Sequence, residues 1–386
     1  IIMKILFIVY HGFSSESGIS KKIHDQVNGL KQNGHDVHLC YYDFDSRGHR
    51  CRFIDSKILK NYGNGKIAAI KQRFDYDEIY KYCKSENIQI VYARSFQNAS
   101  PQLVRFFKKL NTLGVKCVTE IPTYPYDSEF VGFGFMDRMK LRIDQIFRHS
   151  LSMQMKAIVT FSDANEIFGQ RTINISNGVS FDAIPIHSHH NNNDIIDLIG
   201  VAEVHYWHGF DRLIAGIGEY YNNNPRGRNI VFHIVGGVWK GEMHGSMHAP
   251  GFSELIEKYG IADHVKFHGK LFGKELDDVF NISCFAIGSL ARHRSGITNI
   301  KTLKNREYAT RGIPFIYSEI DSDFEDKPYV IKAPADESPI DIQSIIEFMD
   351  HFDMNPEDIR KTVEHLTWKR QMQKVIDELC KDTDDL

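Results

Sequence analysis

Short apolar runs rich in β-branched residues alternate with stretches of helical period along almost the whole chain. In the first half the runs KILFIVY, DVHLCYY, IQIVYA, VKCVTEI, AIVTFS and TINIS predict strands. Between them, apolar residues recurring every three to four positions predict helices over 19–33, 76–86, 101–113 and 134–153. The rhythm restarts at DIIDLIGVA and runs on through NIVFHIVGG, HVKFHG, CFAIGS, IPFIYS and YVIKA. Helices are predicted near 208–222, 252–260, 273–281 and 303–311. Strands apolar on both faces and separated by helices imply parallel sheets covered on both sides. The expected fold class is α/β, with two consecutive doubly wound domains.

The stretch IPIHSHHNNND, 184–194, breaks the rhythm and reads as a solvated linker, dividing a first domain, 1–186, from a second, 187–366. His187, His189 and His190 lie there without carboxylate or thiolate partners at a usable spacing, so no metal site is expected. In EHLTWKRQMQKVIDEL, Leu366, Met372, Val375 and Leu379 fall at helical spacing. Residues 367–386 are therefore expected to form a helix that crosses back to the first domain. The helix within FGFMDRMKLRIDQIFRHSLSMQM carries Met136, Met139, Ile143 and Phe147 on one side. That face is expected to cover the sheet, with lipid contact as the alternative.

Length changes the picture little: 386 residues exceed what one core usually holds, in keeping with two domains. A formal net charge of −3 and the lack of a basic, aromatic-rich strip argue against a nucleic-acid partner. The 6 cysteines have no paired spacing, which points to a reducing cytoplasm. No apolar run reaches the length of a membrane span.

Candidate chemistry gathers where strands end. After the first strand, Gly18 stands at a helix start between Ser17 and Ser20, without the GxGxxG fingerprint. Such an end either receives a phosphate on its free N–H groups or simply starts the helix. In VTEIPTYPYDSEF, Glu120 closes a strand and is positioned to orient a substrate hydroxyl. Tyr124 and Tyr126 offer stacking surfaces for a sugar, and Asp127 a further acceptor. Gly237 keeps a second-half strand end small enough for a ligand to approach the backbone. The densest signal is SLARHRSGITNIKTLKNREYATRGIPFI. There Arg292, Arg294, Lys301, Thr302 and Lys304 surround a helix start, a combination suited to a diphosphate. Glu307, one turn in, suits the two hydroxyls of a ribose.

These residues, with NGHDV, ISNGV, WHGFDRLI, VGG and Trp368 in order along the chain, resemble the glycosyltransferases of the GT-B fold, nearest to the retaining family 4 type. The resemblance implies two Rossmann-like domains facing across a cleft. It implies transfer of a sugar from a nucleoside-diphosphate-sugar, a co-substrate and not a resident cofactor, to an acceptor hydroxyl. Retention, metal independence and closure of the domains around the substrates follow from the same likeness. It further implies a saccharide or lipid-linked saccharide acceptor in bacterial surface polysaccharide synthesis, in the cytoplasm with peripheral contact to the inner membrane. Lys301 and Lys304 would stabilise the leaving diphosphate, Asn299 would address the transferred hexose, and the backbone near Lys270 and Leu271 would meet the base. The chain departs from the family at three places: Asn299 replaces its first motif glutamate, and Ala202 and His208 stand where an arginine and a lysine are usual. A non-hydrolysing sugar-nucleotide epimerase and a degenerate sugar-nucleotide binder share the same architecture.

Overall fold

A computed structural model describes residues 2–14, 17–95, 98–127, 134–188 and 195–381. The chain forms two compact units, one of residues 1–178 with 367–386 and one of 179–366. Residues 179–186 group with unit 2, held there by the guanidinium of Arg360, which donates to the carbonyls of Phe181 and Ile184. His187 is buried, and its N–H donates to the Arg311 carbonyl. This part of the expected solvated linker is therefore packed, while His189 and His190 lie outside the described residues.

Unit 1 contains strands β1 (Lys4–Ile8), β2 (Asp36–Phe44), β3 (Arg50–Ile54), β4 (Lys57–Gly63), β5 (Ile90–Arg94), β6 (Lys116–Ile121), β7 (Ala157–Thr160), β8 (Glu166–Ile167) and β9 (Gln170–Asn174). Their order is β4-β3-β2-β1-β5-β6-β7-β9-β8. Pairing is parallel from β2 through β1, β5, β6 and β7 to β9, and β3 and β4 add an antiparallel hairpin at one edge. The period of two sorts the first strand cleanly. Ile5, Phe7 and Val9 face one core with the helix Gly18–Gln32, whereas Leu6 and Ile8 face another with the helix Pro101–Thr112.

The helix Trp368–Lys381 completes the first of these cores with Trp368, Met372, Val375, Ile376 and Leu379. It comes so close to the helix Gly18–Gln32 that a Cβ on Gly29 would lie 2.8 Å from the Trp368 carbonyl carbon. The obstacle is backbone and cannot rotate away. Gly29→Val is expected to cost about 2–3 kcal/mol by overpacking, read as a lower urea midpoint at unchanged m-value.

Unit 2 contains β10 (Ile195–Val201), β11 (Asn229–Val235), β12 (Val265–Gly269), β13 (Phe285–Ile287), β14 (Phe315–Tyr317) and β15 (Val330–Lys332). The order is β12-β11-β10-β13-β14-β15, parallel throughout. In both sheets the strand order reverses beside the first strand, between β1 and β5 and between β10 and β13. Such a reversal opens a crevice at the carboxyl ends of the strands, where open α/β sheets bind ligands.

Candidate active site

At the unit 2 reversal, β10 runs into a loop carrying Trp207 and His208, and β13 into one carrying Arg292. His208 is buried, and its Nδ1 accepts the His205 N–H at 2.9 Å. Burial, then the charges of Lys304 and Arg292, push its pKa well below the usual imidazole value, so the ring is neutral. The Arg292 guanidinium lies 5.6 Å from the Trp207 ring centre.

The helix Leu303–Arg311 begins at the same place. Its N-cap residue, Thr302, is extended but does not cap the helix; its hydroxyl reaches Glu319 at 3.5 Å, just beyond β14. Asn305 Nδ2 donates to the same Glu319 oxygen at 3.2 Å. The Lys304 Nζ is out of solvent and has no hydrogen-bond partner among the described residues. Burial first, then the like charge of Arg292, pull its pKa down to about 7 against the pull of Glu319. Burial likewise raises the Glu319 carboxyl. An anion arriving at the helix N-terminus would meet a positive dipole end and an amine ready to take up a proton.

At the unit 1 reversal a cavity of about 610 Å³ lies at the ends of β1, β5 and β6. Its polar wall includes His11, Ser17 and Ser20 at the start of the helix Gly18–Gln32, and Arg94 at the end of β5. Ser17 caps that helix by accepting the Ser20 N–H at 3.3 Å, and Gly18 is its first residue. Behind this wall Glu120 is 0% exposed. Its carboxylate accepts from Tyr92 Oη at 2.5 Å, Gln26 Nε2 at 2.6 Å and Arg94 Nε at 3.2 Å, with Lys22 Nζ at 3.8 Å. Burial works to raise the Glu120 pKa, but Lys22, Arg94 and the two hydrogen bonds more than offset it. The group ends below the ordinary glutamate value.

No protein-family model and no curated protein matches the sequence. Solved structures do match it in fold. The chain is similar to the catalytic domain of starch synthase IV from Arabidopsis thaliana, solved with ADP and acarbose. That match has a TM-score of 0.59 and 10% identity over 99% of this chain and 100% of that one. It is similar to the trehalose-6-phosphate synthase of E. coli bound with UDP-2-fluoro glucose, with a TM-score of 0.57 and 10% identity over 97% and 98% of the two chains. A third is a Listeria monocytogenes protein described as a UDP-N-acetylglucosamine 2-epimerase, with a TM-score of 0.51 and 11% identity over 100% and 98%. The fold is GT-B.

In this GT-B chain the expected site residues separate into groups. Thr302, Lys304 and Arg292 converge at the unit 2 reversal, as described. Lys301 is buried beside Asp323, 3.9 Å away. Asn299 pairs its strand-like backbone with Ile320, at the β14 end of the same region. Arg294 is engaged on every side by protein acceptors: both Asp211 oxygens at 2.8–2.9 Å, Glu337, and the Tyr206 carbonyl at 2.9 Å. Glu307 accepts two bonds from Arg311, at 3.0 and 2.9 Å, and remains partly exposed. Lys270 pairs with Glu203 at 3.1 Å, both half exposed, and Leu271 packs against the core below. A Cβ on Gly237 would stand 2.6 Å from Glu203, and one on Gly236 only 1.7 Å from the Ala202 carbonyl oxygen.

In unit 1, Tyr126 lines the cavity, but its hydroxyl donates to Asp144 at 2.6 Å. Asp127 is held by Arg148 at 2.7 Å, and the Tyr124 ring stands edge-on to Phe168. The helix Phe135–Ser152 corrects an expectation. It is anchored by the buried Asp144, Leu151 and Ser152, and Phe147 does pack against a core, whereas Met136, Met139 and Ile143 are exposed and line a groove instead of covering the sheet. Its neighbours there are Ile70, Phe44 and Tyr42, so the apolar face is used at the surface. The pattern gave no sign of Glu319, His11 or Arg94 as site residues, and Lys22 was not singled out. Lys22 did leave one signal, a lysine beside Ile23 on the buried stripe of its helix.

Proposed function

We propose that the protein transfers a sugar from a nucleoside-diphosphate-sugar, held by unit 2, to an acceptor hydroxyl held by unit 1. The observation that carries this reading is Lys304, a buried amine without a hydrogen-bond partner among the described residues, at a helix N-terminus on the sheet reversal. As the bond from the sugar C1 to the diphosphate breaks, charge grows on the leaving oxygens. Lys304, Arg292 and the helix N–H groups stabilise it there, with Lys301 behind them. The acceptor oxygen bonds to C1, and its proton passes to the leaving phosphate. Glu307 takes the ribose hydroxyls by exchanging one of its Arg311 contacts, and Asn299 addresses the sugar. Glu120, sealed from solvent, acts as a positioning residue through Arg94 and Lys22.

Finer features of the reading rest on the family resemblance. They are retention of configuration, metal independence, a lipid-linked acceptor met at the inner membrane face, and a place in bacterial surface polysaccharide synthesis. The exposed Ile67, Ile70, Phe135, Met136 and Ile146 in unit 1 suit contact with a lipid surface.

Thermal-shift and calorimetric titrations with UDP-, ADP-, GDP-, CMP- and dTDP-sugars test the proposal. One nucleotide class is expected to bind, about tenfold more weakly to Glu307→Ala. Binding of none by the folded chain rejects it. Asn299 in the place of a family glutamate, together with the fold likeness to an epimerase, favours a second reading, isomerisation of the bound sugar nucleotide. Incubating donor without acceptor separates the two, because only the epimerase yields a second sugar nucleotide.

A further inference from the structure

Among the described residues, the walls of the unit 1 cavity carry one full charge. Arg94 is 9% exposed and is the sole side chain of fixed charge among the described residues lining the cavity; no carboxylate is among them. Its one hydrogen-bond partner among the described residues is Glu120, bonded through Nε at 3.2 Å, which leaves the two Nη groups of the fork for the cavity. Lys22 stands 3.8 Å from the same carboxylate oxygen, so Glu120 is shared between two cations. Tyr92 and Gln26 fix the carboxylate on its other oxygen, and through it the orientation of the guanidinium. The start of the helix Gly18–Gln32 adds its positive end through Ser17 and Ser20. His11, on the same wall, is driven toward its neutral form by burial first, against its bond to the Gly12 carbonyl, with Arg94 adding a smaller push the same way.

We infer that this cavity selects an acceptor bearing an anionic group, a phosphate or a carboxylate, and that the Arg94 fork recognises it. The inference rests on the reading of unit 1 as the acceptor side. A planar guanidinium held at one nitrogen and open at the others matches two oxygens of a phosphate or carboxylate. Two sources can supply that group: a soluble acidic or phosphorylated sugar, or a phosphate on a lipid carrier. His11 and Gly12 also line a neighbouring cavity of about 660 Å³ walled by Ile70, Met136, Met139 and Ile143, which gives a lipid chain a place to lie next to its phosphate.

The test is calorimetry on the full chain with glucose, glucuronate, glucose 1-phosphate and a polyprenyl phosphate in neutral micelles, with the nucleotide found above titrated in parallel. At least one charged probe is expected to bind about tenfold or more tightly than glucose. Arg94→Met is expected to remove the difference and leave nucleotide binding unchanged. Arg94→Lys, which keeps a cation on Glu120 but loses the fork, guards against misfolding and is expected to fall between. Tight binding by the lipid phosphate alone assigns the source to a carrier; tight binding by a soluble probe assigns it to the sugar. Equal binding of glucose and the charged probes, no binding of any charged probe at millimolar concentration, or wild-type affinity in both variants overturns the inference. Failure of nucleotide binding while Arg94-dependent anion binding persists rejects sugar transfer and leaves the anion selectivity standing.

Discussion

Lys304→Met is expected to weaken donor binding on the order of 100-fold, while making the folded chain more stable at neutral pH by on the order of 2 kcal/mol. The two effects have one origin. The Lys304 amine is dry, lies near Arg292, and has its pKa pulled from 10.5 to about 7 by burial and that like charge. Unfolded chain therefore binds the proton throughout the window from about 7 to 10.5, where the folded chain has released it. Stability must rise with pH across that window, and folding near pH 7 carries a penalty that methionine, of similar shape and no charge, removes. Donor binding runs the other way. A diphosphate beside the amine favours its protonated form, so affinity is expected to fall as pH rises above 7. In the variant both slopes are expected to flatten. Urea midpoints and nucleotide titrations at pH 6.5, 7.5 and 8.5 check both. A wild-type chain without either slope would show that Lys304 is an ordinary surface lysine.

Glu120→Ala is expected to destabilise unit 1 by about 3–5 kcal/mol, the usual result of leaving buried cations without their counter-charge. Lys22 and Arg94 would both be stranded, and Tyr92 and Gln26 would each lose an acceptor. Glu120→Gln keeps the shape and one acceptor, and is expected to fall between. The native group also sets an acid limit. Its folded pKa lies below the ordinary 4.5, so its contribution is fully present above that value and is lost as pH falls through the folded pKa. Acid unfolding followed by circular dichroism is expected to move to higher pH in both variants, because their stability is lower wherever the native carboxylate is ionised. Both should start from a lower plateau and fall less steeply, since the titrating group is gone.

The strands of both sheets were legible because parallel strands buried on two faces read as continuous apolar runs, and the helices between them keep a period near 3.6. The edge hairpin was not. Its strands RCRFI and KILKNYG are half polar, and its turn residues Asp55 and Ser56 take positive φ of 47° and 69° without the glycine that usually announces such a turn. The helix Phe135–Ser152 misled for a different reason. Periodicity reports that a face is apolar but not what covers it, and here Met136 and Met139 border a groove. Glu120 was visible as a carboxylate at a strand end, yet its seclusion depends on Lys22, Gln26, Tyr92 and Arg94, brought in from another helix and another strand. Among the basic residues around Arg292, local sequence could not separate Arg294, tied to Asp211 and Glu337, from Lys304, which has no such tie. That distinction is made by carboxylates distant in the chain.

The close seat of the Trp368–Lys381 helix on unit 1 has a consequence for synthesis. Ile5, Phe7 and Val9 leave the ribosome first, but the Trp368, Met372 and Val375 side chains that cover them leave hundreds of residues later. Unit 2, built from the continuous span 179–366, already has all its strands by then. The domain made first is thus finished last. Throughout that interval the helix Gly18–Gln32 covers that face only in part, leaving apolar surface open to chaperones and to neighbouring nascent chains, and any product ending before Trp368 would keep that opening for good.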